Sequence, residues 1–134
     1  QNDPKVDKSL RPPQGNLMFS TLAQVALGGA IGSVLRFVTV SSVGAPLATL
    51  GVNVVGSFVM GFLFVGLTTR SSLSPLLMAG VLGGFTTFSA FSLDALKLWQ
   101  SGQGIQAAMY VVASVGLSLL AVALGAAIAK GALG

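Results

Sequence analysis

The stretch Gly83-Gly84-Phe85-Thr86-Thr87-Phe88-Ser89-Ala90-Phe91-Ser92 decides how this chain is read. It lies between an apolar run, Leu76 to Leu82, and a mixed run, Leu93 to Trp99. Neither flank alone reaches the ~20 residues that a helix needs to cross a bilayer, but joined through the central stretch they do. Lipid offers backbone groups no partners, so an interruption at mid-depth is tolerated only where it faces protein or a watery cavity. Such interruptions present freed carbonyls to ions. The stretch therefore reads as a membrane helix broken at its glycine pair, and as the first place to look for function.

The composition agrees. Of 134 residues, 53% are hydrophobic and 7% charged, and the mean hydropathy is +0.87. These values belong to membrane proteins, not soluble domains. The chain has no cysteine and no histidine, which excludes disulfides, thiolate or imidazole metal sites and catalysis by either residue. Its pI near 10.2 would suit nucleic acid. However, the seven basic residues are scattered, so the charge reads as a cationic balance around membrane spans with no nucleic-acid partner.

Residues 1–18 read as a polar, disordered tail, with Pro12 and Pro13 together and five charges between Asp3 and Arg11. A signal peptide is not expected, because the following apolar run is too long and lacks a clear small-residue cleavage site. Residues 19–130 divide into four spans: Phe19 to Val40, Pro46 to Leu67, Leu73 to Trp99 with the break inside it, and Ile105 to Ala129. The expected fold is an all-α integral membrane protein of four transmembrane helices. Small residues recur at packing spacing on every span: Gly28 and Gly32, Ser57 and Gly61, Gly80 and Gly84, Ala121 and Gly125. In lipid such faces let helices approach closely, so a tight bundle is expected.

With the ends alternating, Arg70 and Lys130 fall on one side of the membrane and Arg36 and Lys97 on the other. This balance gives the positive-inside rule little to act on. Insertion in both orientations, with antiparallel pairing, is compatible with it.

Polar residues at membrane depth are costly and tend to be functional. Thr49, Asn53 and Ser57 share one face of the second span, and Tyr110, Ser114 and Ser118 share one face of the fourth. They can serve interhelical hydrogen bonding and back-bonding, or line a polar path. The Asn53 amide offers N–H donors without a fixed charge, which suits an anion that must be released again. Phe88 and Phe91 either pack or turn their positive ring edges toward an anion. Arg36 snorkels to the interface or draws anions to a vestibule. Asp94 is expected to pair with Lys97 at i+3, with capping a mouth or carrying protons as the other readings.

Three segments together resemble the Fluc (CrcB-type) fluoride channels: Gly28-Gly29-x-x-Gly32-x-x-x-Arg36, Gly51-Val52-Asn53-Val54-Val55-Gly56-Ser57-Phe58 and Gly83-Gly84-Phe85-Thr86-Thr87-Phe88-Ser89-x-Phe91-Ser92. The likeness covers Leu22 to Ala129. It implies a dual-topology antiparallel homodimer with two separate pores in the cytoplasmic membrane, passing fluoride passively and excluding chloride, so that toxic fluoride leaves the cell. By position, Phe88 and Phe91 resemble the pore phenylalanines and Asn53 the pore asparagine, with Thr49 one turn away. Tyr110, Ser114 and Ser118 resemble the polar track, and Arg36 a vestibule residue. The resemblance also implies that the break unwinds over Gly83 to Thr86, and that the Gly83 and Thr86 carbonyls of both subunits hold a structural sodium ion at the dimer centre. Asp94 departs from the pattern, since many relatives carry Glu there.

A small dual-topology multidrug/proton antiporter is the alternative. It would need a membrane-embedded carboxylate; the first span has none and Asp94 lies near a helix end. An enzyme is not expected either, because one acid outside the tail leaves no general acid–base pair. A scaffold of packed helices would explain the glycines but neither the polar stripes nor the break.

Overall fold

The computed structural model describes residues 14–67 and 71–133. Helix α1 (Gln14–Val43) is followed by α2 (Leu47–Gly66), a π-helical segment (Pro75–Leu82), a single turn α3 (Gly83–Phe85), α4 (Phe88–Gln100) and α5 (Gly104–Leu133). Among the described residues, four stretches are long and apolar enough to cross a membrane: Gly15–Val43, Leu47–Gly66, Pro75–Gln100 and Gly104–Leu133. They present large apolar side chains outward all round, including Phe19, Phe37, Phe64 and Leu120, as helices solvated by lipid must.

Most of the expected tail lies outside the described residues, but its last part, from Gln14, already belongs to α1. The turns use local chemistry. Gly44 adopts φ +94° ahead of a cis Ala45–Pro46 bond, and Gly102 adopts φ +81° between α4 and α5; both angles suit a residue without Cβ. Pro75 opens the π-helical segment, where its missing N–H is no loss.

The bundle forms from two close pairings, α1 against the π-helical segment with α3, and α2 against α5. Glycines set both. A Cβ on Gly28 would strike Leu76 O and the Gly80 backbone, and one on Gly84 would stand 2.6 Å from Gly29 O. In the other pair Gly61 abuts Val122 O and Gly125 abuts Phe58 O. The spaced small residues therefore pack as expected, backbone on backbone. Van der Waals contact drives this in lipid, because apolar side chains gain little by leaving it for each other.

The position of the break differs from expectation. The glycine pair is helical, with Gly83 at φ −62°, ψ −36° and α3 continuing through Phe85. The chain leaves the helix at Thr86 (ψ 153°) and Thr87 (φ −151°, ψ 124°). Gly84 is small because α1 lies against it, while extended backbone such as that of Thr87 needs no glycine. Upstream, the Gly83 N–H reaches Met78 O, five residues back, the wide spacing of a π-helix.

Candidate functional site

Asn53 on α2 faces the break directly. Its Oδ1 accepts from the Thr87 N–H at 2.7 Å and its Nδ2 donates to Thr87 O at 2.9 Å. The amide thus pairs with extended Thr87 as a neighbouring strand would. The Thr87 hydroxyl then accepts from the Ala90 N–H at 3.1 Å, capping α4. On the other side of the break, the Thr86 N–H and hydroxyl both donate to Leu82 O, at 3.0 and 2.9 Å.

These bonds redirect two helical donors. A continuous helix would spend the Thr87 N–H on Gly83 O and the Ala90 N–H on Thr86 O. Asn53 takes the first and the Thr87 hydroxyl the second. Gly83 O and Thr86 O are left as hard oxygen donors. Among the described residues no cluster of three or more His, Cys, Asp or Glu could hold a metal, so a cation bound here would rest on such carbonyls.

Beside the break lies an open cleft of about 580 Å³. Asn53 and Ser57 of α2, Ser114 and Ser118 of α5, Phe88 and Phe91 of α4, and Gly83 and Thr86 all line it. The two polar stripes and the broken segment therefore converge on one space, with no charged side chain among its lining residues. The Ser114 hydroxyl is buried without a partner. Phe88 and Phe91 lie with ring centroids 5.4 Å apart and planes tilted by 58°.

Thr49, Tyr110 and Arg36 are not among the lining residues. Thr49 is buried one turn before Asn53. The Tyr110 ring lies 5.4 Å from that of Phe91, and its hydroxyl donates to Asp94 Oδ2 at 3.2 Å. Asp94 is 8% exposed, and Lys97 is exposed. The expected Asp94–Lys97 pair is thus replaced by an inward bond from α4 to α5. Arg36 is half-buried on α1, with its Nε enclosed and unpartnered.

Sequence reasoning missed Thr87, the residue around which the break is built. A hydroxyl residue just before a resumed helix is an N-cap signal, and it was available in Thr87-Phe88-Ser89-Ala90.

The chain matches the family described as CrcB-like protein, Camphor Resistance (CrcB), over residues 23–126. It is 51% identical over 123 residues to a protein of Cereibacter sphaeroides (strain ATCC 17029) named fluoride-specific ion channel FluC, covering 85% of this chain and 98% of that one. A FluC of Ruegeria sp. (strain TM1040) is 48% identical over 87% of this chain and 99% of its own length. A FluC of Rhizobium etli (strain CFN 42) is 50% identical over 79% and 93%. With a match across all four membrane-spanning stretches and around the cleft, the chain belongs to the CrcB family.

Proposed function

We propose that this chain is a fluoride-specific ion channel, a non-enzymatic, multi-pass protein of the bacterial cytoplasmic membrane that lets fluoride leave the cell. The observation that carries this reading is the cleft itself, where neutral donors and aromatic rings meet and no charged side chain intrudes. Fluoride is small and tightly hydrated, so its path must replace water with several close donors. A fixed cation among them would hold it too strongly for conduction. Asn53, with one N–H used on Thr87 O, keeps a second. The unpartnered Ser114 hydroxyl is another donor, Ser118 lies beside it, and the ring edges of Phe88 and Phe91 carry positive potential.

The working unit is an antiparallel homodimer with two pores. One protomer leaves Phe88 76% exposed beside an open cleft, and a second copy would supply the missing wall. The balance of Arg36 and Lys97 against Arg70 and Lys130 suits insertion in both orientations. Arg70 lies outside the described residues. Thr49 and Tyr110 continue the polar path behind Phe91, and Arg36 draws fluoride to the mouth.

A structural sodium ion at the dimer centre fits the broken segment. Gly83 O and Thr86 O have both lost their helical donors to other acceptors, and carbonyl oxygens suit a hard cation. When bound, the ion supplies positive potential close to the anion path.

Liposomes carrying the purified protein and loaded with potassium fluoride or potassium chloride test the reading through efflux at an ion electrode. Rapid fluoride release with retained chloride is expected. Retention of fluoride by vesicles containing folded dimer would overturn it.

A further inference from the structure

We propose that Asn53 is a positioning residue that keeps the carbonyl cradle open, in addition to facing the anion path. The inference rests on the sodium reading of Gly83 and Thr86 given above. At the end of α3 two acceptors compete for the Thr87 N–H. One is Gly83 O, four residues back, which a continuous helix would use. The other is Asn53 Oδ1, which it does use at 2.7 Å.

The second bond, from Asn53 Nδ2 to Thr87 O at 2.9 Å, fixes which acceptor wins. Together the two bonds hold Thr87 at φ −151°, ψ 124°, while the ψ of 153° at Thr86 turns the Thr87 N–H out of the helical path. Buried N–H groups do not stay unpaired. Without the amide, the acceptor that helical geometry offers the Thr87 N–H is Gly83 O. Re-forming that bond would add a residue to α3 and occupy one carbonyl of the cradle. It would also move the start of α4, and with it Phe88 and Phe91. One side chain on α2 thus governs the oxygens offered to the cation and the rings offered to the anion.

The experiment separates this role from donation to fluoride. The purified full-length dimer is melted across a sodium titration at constant ionic strength, with potassium as replacement, and each protein is then assayed for fluoride efflux. Parent protein should gain thermal stability with sodium. Asn53→Ala should need about tenfold more sodium for half the gain, a factor equal to ~1.4 kcal/mol and the size of one typical net hydrogen bond. Asn53→Asp keeps an oxygen for the Thr87 N–H but loses the donor to Thr87 O. Its sodium midpoint should therefore fall between those of the parent and Asn53→Ala, while its fixed negative charge abolishes fluoride efflux.

A parental midpoint in Asn53→Ala would overturn the positioning role. So would a raised midpoint in Asn53→Asp equal to that of Asn53→Ala. Parent protein whose stability ignores sodium would overturn the sodium reading first. Should Asn53→Ala fail to assemble, the scalar coupling across the hydrogen bond of the Thr87 amide in parent protein decides. Coupling of the Thr87 amide nitrogen to the Asn53 side-chain carbonyl carbon upholds the positioning role, and coupling to the Gly83 carbonyl carbon overturns it.

Discussion

Phe88 and Phe91 face one cleft from successive turns of α4, with ring centroids 5.4 Å apart, yet Phe88 is 76% exposed in the protomer and Phe91 only 7%. The difference comes from their neighbours. Phe91 lies against the Tyr110 ring of α5, whereas Phe88 starts α4 at the edge of the break. Phe91 is thus part of what holds the chain's helices together, and Phe88 is not.

Substitutions should separate the two. Phe88→Ile keeps apolar bulk and removes the ring, so protomer stability should stay within about 0.5 kcal/mol. Fluoride efflux should fall at least about tenfold, the effect of ~1.4 kcal/mol on a barrier. Phe91→Ala should instead cost ~3–5 kcal/mol of stability through the cavity it leaves. Thermal unfolding in detergent and liposome efflux read the two effects, and parental efflux from Phe88→Ile would mean that the ring edge is not used.

The bond from Tyr110 to Asp94 makes a second prediction. Tyr110→Phe strips the buried Asp94 carboxylate of its donor, which should destabilise by about 1–3 kcal/mol. Adding Asp94→Leu to it should recover part of that loss, since replacing both partners by apolar groups is far cheaper than stranding one. Lys97→Ala, on the exposed side of α4, should change stability by less than ~0.5 kcal/mol. A Lys97→Ala loss as large as that of Tyr110→Phe would restore the ion pair as Asp94's partner.

The glycine contacts predict a sharp contrast along α1 and α5. A Cβ on Gly32 would collide with Val81 O and stand 2.8 Å from the Phe85 N. Gly32→Ala should therefore push α1 off the π-helical segment and cost ~1–3 kcal/mol. A Cβ on Gly131 would meet nothing within 4 Å, so Gly131→Ala should gain ~0.5–1 kcal/mol from helix propensity alone. Equal melting temperatures for the two variants would contradict the packing.

What could be read in advance followed from local rules. Four spans were legible because apolar length is a one-dimensional signal. Helical spacing set Thr49, Asn53 and Ser57 on one face of the second span and Tyr110, Ser114 and Ser118 on one face of the fourth. That Asn53, Ser57, Ser114 and Ser118 share one cleft needed the fold. The start of α1 at Gln14 was hidden, because polar residues at a helix end look like tail. The break falls beyond the glycine pair because its position depends on Asn53, 34 residues from Thr87 in sequence. A glycine pair is a weak point, but a competing acceptor on another helix decides where the ladder opens. Asp94 shows the same limit: the i+3 rule pointed to Lys97, while the partner it found is Tyr110, 16 residues away on α5.

Thr87 provides the last prediction, because it guards the second carbonyl as Asn53 guards the first. Its hydroxyl holds the Ala90 N–H at 3.1 Å. Thr87→Ala removes this cap, which should cost ~0.5–2 kcal/mol, and leaves Thr86 O as the natural acceptor for the Ala90 N–H. The sodium concentration needed for half-maximal stabilisation should then rise, even though Asn53 still holds the backbone of residue 87. Thr87→Ser keeps the capping oxygen and should keep the parental midpoint. Melting curves across a sodium titration distinguish a cap that merely stabilises α4, which would lower every curve without moving the midpoint, from one that also keeps Thr86 O available to the cation.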